Sequence, residues 1–356
     1  MSLIQPDRKL EGIHGLRGLA ALSIVLFHFV YVAKVPAPNW LSFTATHFNL
    51  SVLLFFALSA LSLCHSRSYA PASYSAYLVK RFFRIAPLFY LVLGYMLWWG
   101  GRPPWNVLLA NLTFTFNLIP GQHQSLVWAG WSVGVEMLFY LLLPAILWFA
   151  HRPFPLLVTL LGAVLISEVA WRTLAAPGIP EEQFAYFSLL TNRAPFAAGL
   201  LAYSLAQSAP LRQWQTWGWQ HSLLAAVCIA ILLSGYFDPF GLKGRWNGVY
   251  FSLWAVGLGL LCLWQCRFPS LLMRASPMQW LGDRSYSIYL LHPVAMILLA
   301  PMYAYLAAQS WLGGGWLYPA GLALTLTILL TAAHITYRLV ELPGISLGRR
   351  IASTLK

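Results

Sequence analysis

The chain has 356 residues, of which 59% are hydrophobic and only 9% charged, against about 45–50% and 25% in soluble globular domains. A water-soluble fold of this length could not hide so much apolar surface, and so few charged residues exclude a disordered chain as well. The 22 basic residues against 9 acidic ones give a balance of +13, but the cations sit at the ends of apolar runs, which fits membrane orientation better than nucleic-acid binding.

A crossing needs about 20 apolar residues. In chain order ten segments qualify: 14–34, 48–64, 84–100, 131–150, 154–172, 185–206, 221–236, 248–266, 284–308 and 315–341. The first is too long for a signal peptide and has no cleavage site, so it reads as a retained span. Tyr31, Trp98, Trp99, Trp131, Trp171 and Trp264 stand near span ends, as an aromatic belt requires. The expected fold is therefore all-α: a single ten-helix transmembrane domain over 1–345 with a short basic tail over 346–356.

Basic residues set the orientation. With the N-terminus inside, the inner face carries Arg8, Lys9, Arg67, Lys80, Arg81, Arg84, Arg152, Arg212, Arg267, Arg274, Arg284, Arg349, Arg350 and Lys356. The outer face carries Lys34, Arg102, Arg172, Lys243 and Arg245. Both termini are thus expected to be cytoplasmic. The long outward connection from Gly100 to Gly130 is too apolar for a solvated loop and reads as holding a short interfacial or re-entrant helix. Cys64, Cys228, Cys262 and Cys266 lie inside apolar segments and read as core residues. No metal site is expected.

Polar residues inside spans are costly, and each is a candidate functional residue. His14, Arg17, Gly18, Ala21, Val25 and His28 fall on one stripe of the first span, whose small residues would admit a neighbouring helix or a thin ligand. In the fourth span Trp131 and Ser132 are followed by Glu136 and Tyr140, and Ser132, Glu136 and Tyr140 share a face. Counted from the outer surface, His28 and Glu136 lie at matched depth. That predicts a carboxylate–imidazole pair equipped as a general base, with Asn192 and Arg193 joining from the sixth span. The plainer alternative is an interhelical clasp. On the inner side Arg81 and Arg84, three apart, form a fork suited to phosphates, unless they are simple positive-inside anchors. Arg284, Tyr286, Tyr289 and His292 open the ninth span, and His334, Arg338 and Glu341 share a face of the tenth. These read first as packing or helix-end charge balance, with ligand contact the other possibility. Glu168 reads as interfacial.

Seven segments taken together resemble one family: GLRGLAALSIVLFH (15–28), LLFFALSALSL (53–63), YLVKRFFRIAPLFY (77–90), WSVGVEMLFYLLLP (131–144), NRAPFAAGLLA (192–202), LGDRSYSIYLLHP (281–293) and YRLVELP (337–343). In this order they resemble the bacterial membrane-bound acyltransferase 3 family, which includes O-antigen and exopolysaccharide O-acetylases. Ala60 stands where the family usually has Gly, Val133 where Leu is common, and His14 where an acidic or amide residue is frequent.

The resemblance implies a bundle in the bacterial cytoplasmic (inner) membrane that takes an acyl group, usually acetyl, from cytoplasmic acyl-coenzyme A. It delivers that group to a hydroxyl of a carbohydrate or lipid-linked glycan on the outer side. By position it implies that Arg17 and His28 match the family's essential arginine and histidine, Arg81 and Arg84 its R-x-x-R motif, and Trp131, Ser132 and Glu136 its W-S-x-x-x-E motif. The resulting expectation gives His28, Glu136 and Arg193 to catalysis. Arg17, Arg81, Arg84, Trp131, Ser132, Asn192, Tyr286 and His292 are given to donor or acceptor binding, with the pantetheine arm running along the small-residue stripe. The expected partners are acyl-coenzyme A, the glycan acceptor and the bilayer, with no nucleic acid and with a homo-oligomer left open. A secondary transporter or exporter is the alternative from another class, disfavoured by the lack of inverted repeats between the two halves.

Overall fold

A computed structural model describes residues 10–66, 73–149, 153–175, 183–213, 218–309 and 316–355. The orientation residues Arg8, Lys9, Arg67, Arg152 and Lys356 lie outside them. All regular structure among the described residues is helical. The principal helices are α1 (Glu11–Val32), α2 (Ser51–His65), α3 (Tyr74–Gly100), α4 (Trp131–Phe149), α5 (Pro153–Leu174), α6 (Arg193–Gln207), α7 (Trp219–Phe237), α8 (Asn247–Arg267), α9 (Ser285–Leu298), α10 (Leu317–Thr336) and α11 (Leu342–Thr354).

Among the described residues eight helical runs are long and apolar enough to cross a membrane, and α9 with the adjoining Ala300–Ala307, bent by 54°, adds a ninth when the pair is taken as one span. The bend falls where Pro301 opens the second half and withholds a backbone donor from the ladder. This is an all-α, multi-pass membrane protein. The segment expected as a sixth span is instead a short helix, Gln183–Phe187, followed by the 15-residue α6. Fifteen residues rise only about 22 Å, short of a hydrocarbon core of about 30 Å. The third helix begins at Tyr74 rather than at residue 84, so Arg81 and Arg84 sit within its first turns. Ser73 caps it, its hydroxyl accepting from the Ala76 amide at 3.2 Å.

Between helices in lipid there is no hydrophobic driving force, so close packing of small residues holds the bundle. On α1, Gly12, Gly15 and Gly18 meet the backbone of residues 265–282: a Cβ on Gly15 would stand 2.2 Å from the Met273 carbonyl, and one on Gly18 would stand 2.8 Å from Leu281. This corrects the expected pantetheine path. The small-residue stripe is filled by the Ser276–Asp283 helix, and Ala21 and Val25 are fully buried there. Gly199 of α6 likewise lies on the Ala57 carbonyl of α2, where a Cβ would come within 2.2 Å.

Residues 346–354, expected as part of a tail, belong to α11, which continues α10 through a π-turn at Tyr337–Glu341. Gly344 and Gly348 let α11 lie directly on Phe83 and Pro87 of α3. The Gly100–Gly130 connection contains the helix Trp105–Leu112. It is pinned by the buried Asn117, whose amide donates to the carbonyls of His123, Trp131 and Phe187 at 3.0–3.2 Å.

Candidate active site

Where α1, α2, α3, α4, α9 and α11 meet, they enclose a cavity of about 320 Å³. Its lining carries five cations, Arg17, Lys80, Arg81, Arg84 and Arg349, against one carboxylate, Glu136. Arg81 and Arg84 share a face because they are three residues apart on α3. The Arg81 Nε is shut off from solvent and has no hydrogen-bond partner. A buried guanidinium nitrogen left bare is costly and creates a demand for an anion. The carboxylate does not meet that demand. Glu136 Oε1 accepts from the hydroxyls of Ser59 and Tyr140, which also contact each other at 3.1 Å.

At its other end the cavity reaches Ser132 and Tyr289, where Ser132 donates to the Tyr289 hydroxyl at 2.7 Å and that hydroxyl donates to the Ala129 carbonyl at 3.0 Å. Tyr286 also lines it, and its hydroxyl donates to the Ile85 carbonyl at 2.9 Å.

One residue layer beyond lies a pair of histidines. His292, fully buried on α9, places Nδ1 2.5 Å from the Tyr289 carbonyl and Nε2 2.9 Å from Nδ1 of His28. A carbonyl only accepts, so in the neutral pair His292 carries its proton on Nδ1 and accepts at Nε2. His28 Nδ1 is therefore protonated and donates, with the Ile24 carbonyl as a second acceptor at 3.1 Å. That leaves the lone pair of His28 on Nε2. No hydrogen bond is made by this nitrogen among the described residues, and the Trp128 ring lies 6.2 Å from the imidazole, centroid to centroid.

Residues 10–334 match the family model described as an acyltransferase domain, acyltransferase 3. The chain belongs to that family. Two curated relatives are similar over most of this chain. YrhL of Bacillus subtilis strain 168, named as a candidate peptidoglycan O-acetyltransferase, is 24% identical over 342 residues, 84% of this chain and 50% of its own length. The peptidoglycan O-acetyltransferase OatA of Listeria monocytogenes EGD-e is 24% identical over 377 residues, 93% of this chain and 55% of its own. The chain thus spans about half the length of these relatives. No solved structure matches it.

The fold brings together Arg17, Arg81, Arg84, Ser132, Glu136 and Tyr286 around one cavity. It does not bring Glu136 to His28. Matched depth put them together on paper, but Glu136 faces the arginines and hydroxyls while His28 faces His292. Arg193 is also elsewhere: its Nε donates to the Leu190 carbonyl at 2.7 Å, and it lines a separate apolar groove. The Asn192 amide closes the local turn by donating to Tyr186 and Ser188 carbonyls at 2.7 and 2.9 Å. Trp131 is buried against Phe56, Tyr186 and Phe187 and supports the wall rather than lining it. His292 has both nitrogens engaged inside the protein, which leaves it none for a substrate.

Outside the cavity, the expected packing roles take specific form. Arg284 donates to His334 at 3.0 Å and lies over the Trp280 ring, while Glu341 accepts from Ser287. Glu168 is buried within the protein, held by Arg172 at 2.7 Å and the Val249 amide at 3.1 Å.

Ser59 and Arg349 were not singled out from the sequence. Ser59 is one of several small polar residues in an apolar run. The Gly344–Gly348 spacing that presses α11 onto α3 was the available signal for Arg349.

Proposed function

We propose that this acyltransferase is a membrane O-acetyltransferase of the bacterial cytoplasmic membrane, with both termini cytoplasmic. In this reading it moves an acetyl group from cytoplasmic acetyl-coenzyme A to a hydroxyl of a glycan on the outer side. The peptidoglycan named for its relatives is the first acceptor to try. The observation that carries the reading is the pairing of a cavity rich in guanidinium with a histidine whose Nδ1 is engaged and whose Nε2 makes no hydrogen bond among the described residues.

In this mechanism the coenzyme A phosphates bind Arg81, Arg84, Lys80 and Arg349 by charge-assisted hydrogen bonds. Arg17 receives the donor deeper in, and the thioester extends past Ser132 and Tyr289 towards His28. His28 Nε2 removes the proton from the acceptor hydroxyl as its oxygen attacks the thioester carbonyl. The carbon–sulfur bond breaks, the acetyl ester forms, and the coenzyme A thiolate recovers the proton from the imidazolium. His292 Nε2, accepting from His28 Nδ1–H, holds the ring in the productive tautomer and supports the transient positive charge, the role the sequence had suggested for Glu136. Arg193 lies outside this path and takes no part.

The test is release of free thiol from acetyl-coenzyme A in proteoliposomes when peptidoglycan glycan fragments are added. Acceptor-dependent thiol release that is lost in His28→Ala supports the reading. Wild-type turnover by His28→Ala overturns it.

A further inference from the structure

Arg193, displaced from the active site, lines a second cavity of about 380 Å³ between α4, α5 and α6. Its remaining lining is almost wholly apolar, with Phe139, Leu142, Ile166 and Phe196 among the walls. Leu142, Ile166 and Leu190 on its rim are half-exposed, so the groove opens sideways, towards what a bilayer would supply. Gly162 lies in the groove, and a Cβ built there would meet nothing within 4 Å. Arg193 stands where α6 begins. One of its nitrogens, Nε, is held by Leu190, while Nη2 is out of solvent and has no partner.

A cation at a lipid-facing site is retained only where an anion or a polar path compensates it. Here the walls offer aliphatic and aromatic carbon, and the end of the groove offers one unsatisfied guanidinium nitrogen. We propose that this groove binds an anionic phospholipid of the surrounding bilayer, one acyl chain lying between α4, α5 and α6 and the phosphate paired with Arg193. The phosphate would accept from Nη2, and the chain would fill the space over Gly162.

The experiment uses the full-length protein in detergent. It is incubated with equal amounts of phosphatidylglycerol and phosphatidylcholine of the same acyl chains, and the lipid retained after washing is quantified by native mass spectrometry. Wild type is expected to retain phosphatidylglycerol preferentially. Arg193→Gln should cut that preference roughly tenfold, the value of one charge-assisted hydrogen bond. Gly162→Phe, which fills the groove but leaves Arg193 in place, should reduce retention of both lipids. Thermal unfolding like that of wild type checks that each variant is folded. The proposal is overturned if wild type shows no preference, or if a folded Gly162→Phe retains as much lipid as wild type. It is equally overturned if an isoprenoid phosphate at equal mole fraction displaces all the phosphatidylglycerol, since the groove would then belong to a carrier lipid.

Discussion

The arginine cavity and the histidine pair are both built partly from α1, yet they are opposite in character. Arg17 and His28 are eleven residues apart, or about 16 Å along the helix. Around Arg17 are four further cations, one carboxylate and, on Arg81, a guanidinium nitrogen with no partner. Around His28 there is no charged partner among the described residues. Its ring is held by the His292 imidazole and the Ile24 carbonyl, His292 in turn is held by the Tyr289 carbonyl, and one nitrogen of His28 is left over. The first region holds an unsatisfied buried guanidinium; the second is satisfied at every atom except the one that would take a proton in the proposed mechanism. That mechanism separates binding from chemistry along one helix, so substitutions in the two regions should produce different kinetic signatures.

The largest effect is expected at the histidine end. His28→Ala should lower kcat by about 10²–10⁴, the usual contribution of a positioned general base, with the KM for acetyl-coenzyme A little changed. Steady-state kinetics in proteoliposomes checks this, and a change confined to KM would erase the contrast between the regions.

His292 sharpens it. Removing the acceptor in His292→Leu should lower kcat by about tenfold or more, on the scale of a lost hydrogen bond to a charged group. His292→Gln can still donate to the Tyr289 carbonyl and accept from His28, and should recover most of that loss. Equal damage by both variants would mean that packing, not the relay, is what matters.

At the arginine end, Arg81→Ala with Arg84→Ala should raise the KM for acetyl-coenzyme A by about 10–100-fold, with a smaller effect on the acceptor KM. The wild-type donor KM should also rise with ionic strength more steeply than that of the double variant. Equal rises for donor and acceptor would point to misfolding instead. The smallest effects are expected at the hydroxyls on Glu136. Ser59→Ala or Tyr140→Phe removes one hydrogen bond and should cost about 1 kcal/mol of stability, read as a small fall in unfolding temperature.

Much of this architecture was legible in the residues. Apolar length and few charges are enough for an all-α membrane bundle, and Arg81 and Arg84 could be placed on one face because three residues make most of a turn. What failed was the inference from depth to contact. Depth fixes one coordinate of a residue in a bundle and leaves its direction around the axis open. Glu136 and Arg193 were each assigned to His28 by depth, yet α4 turns Glu136 towards α2 and α3, and Arg193 lines a separate apolar groove. The true partner of His28, His292, is 264 residues away and looks like one more polar residue in an apolar helix. The glycines of α1 were ambiguous for a related reason: small residues admit a ligand or a helix equally well, and here the helix takes the space.

The last helix deserves a practical reading. Arg349 reaches the arginine-lined cavity from α11, and just beyond that helix the carbonyl of Leu355 is latched by the Ser73 hydroxyl at the start of α3. An affinity handle or fluorescent protein joined at that point would pull on a wall of the pocket itself. Weak turnover in such a fusion would report a distorted arginine-lined wall, whereas a handle on the opposite terminus avoids α11 altogether.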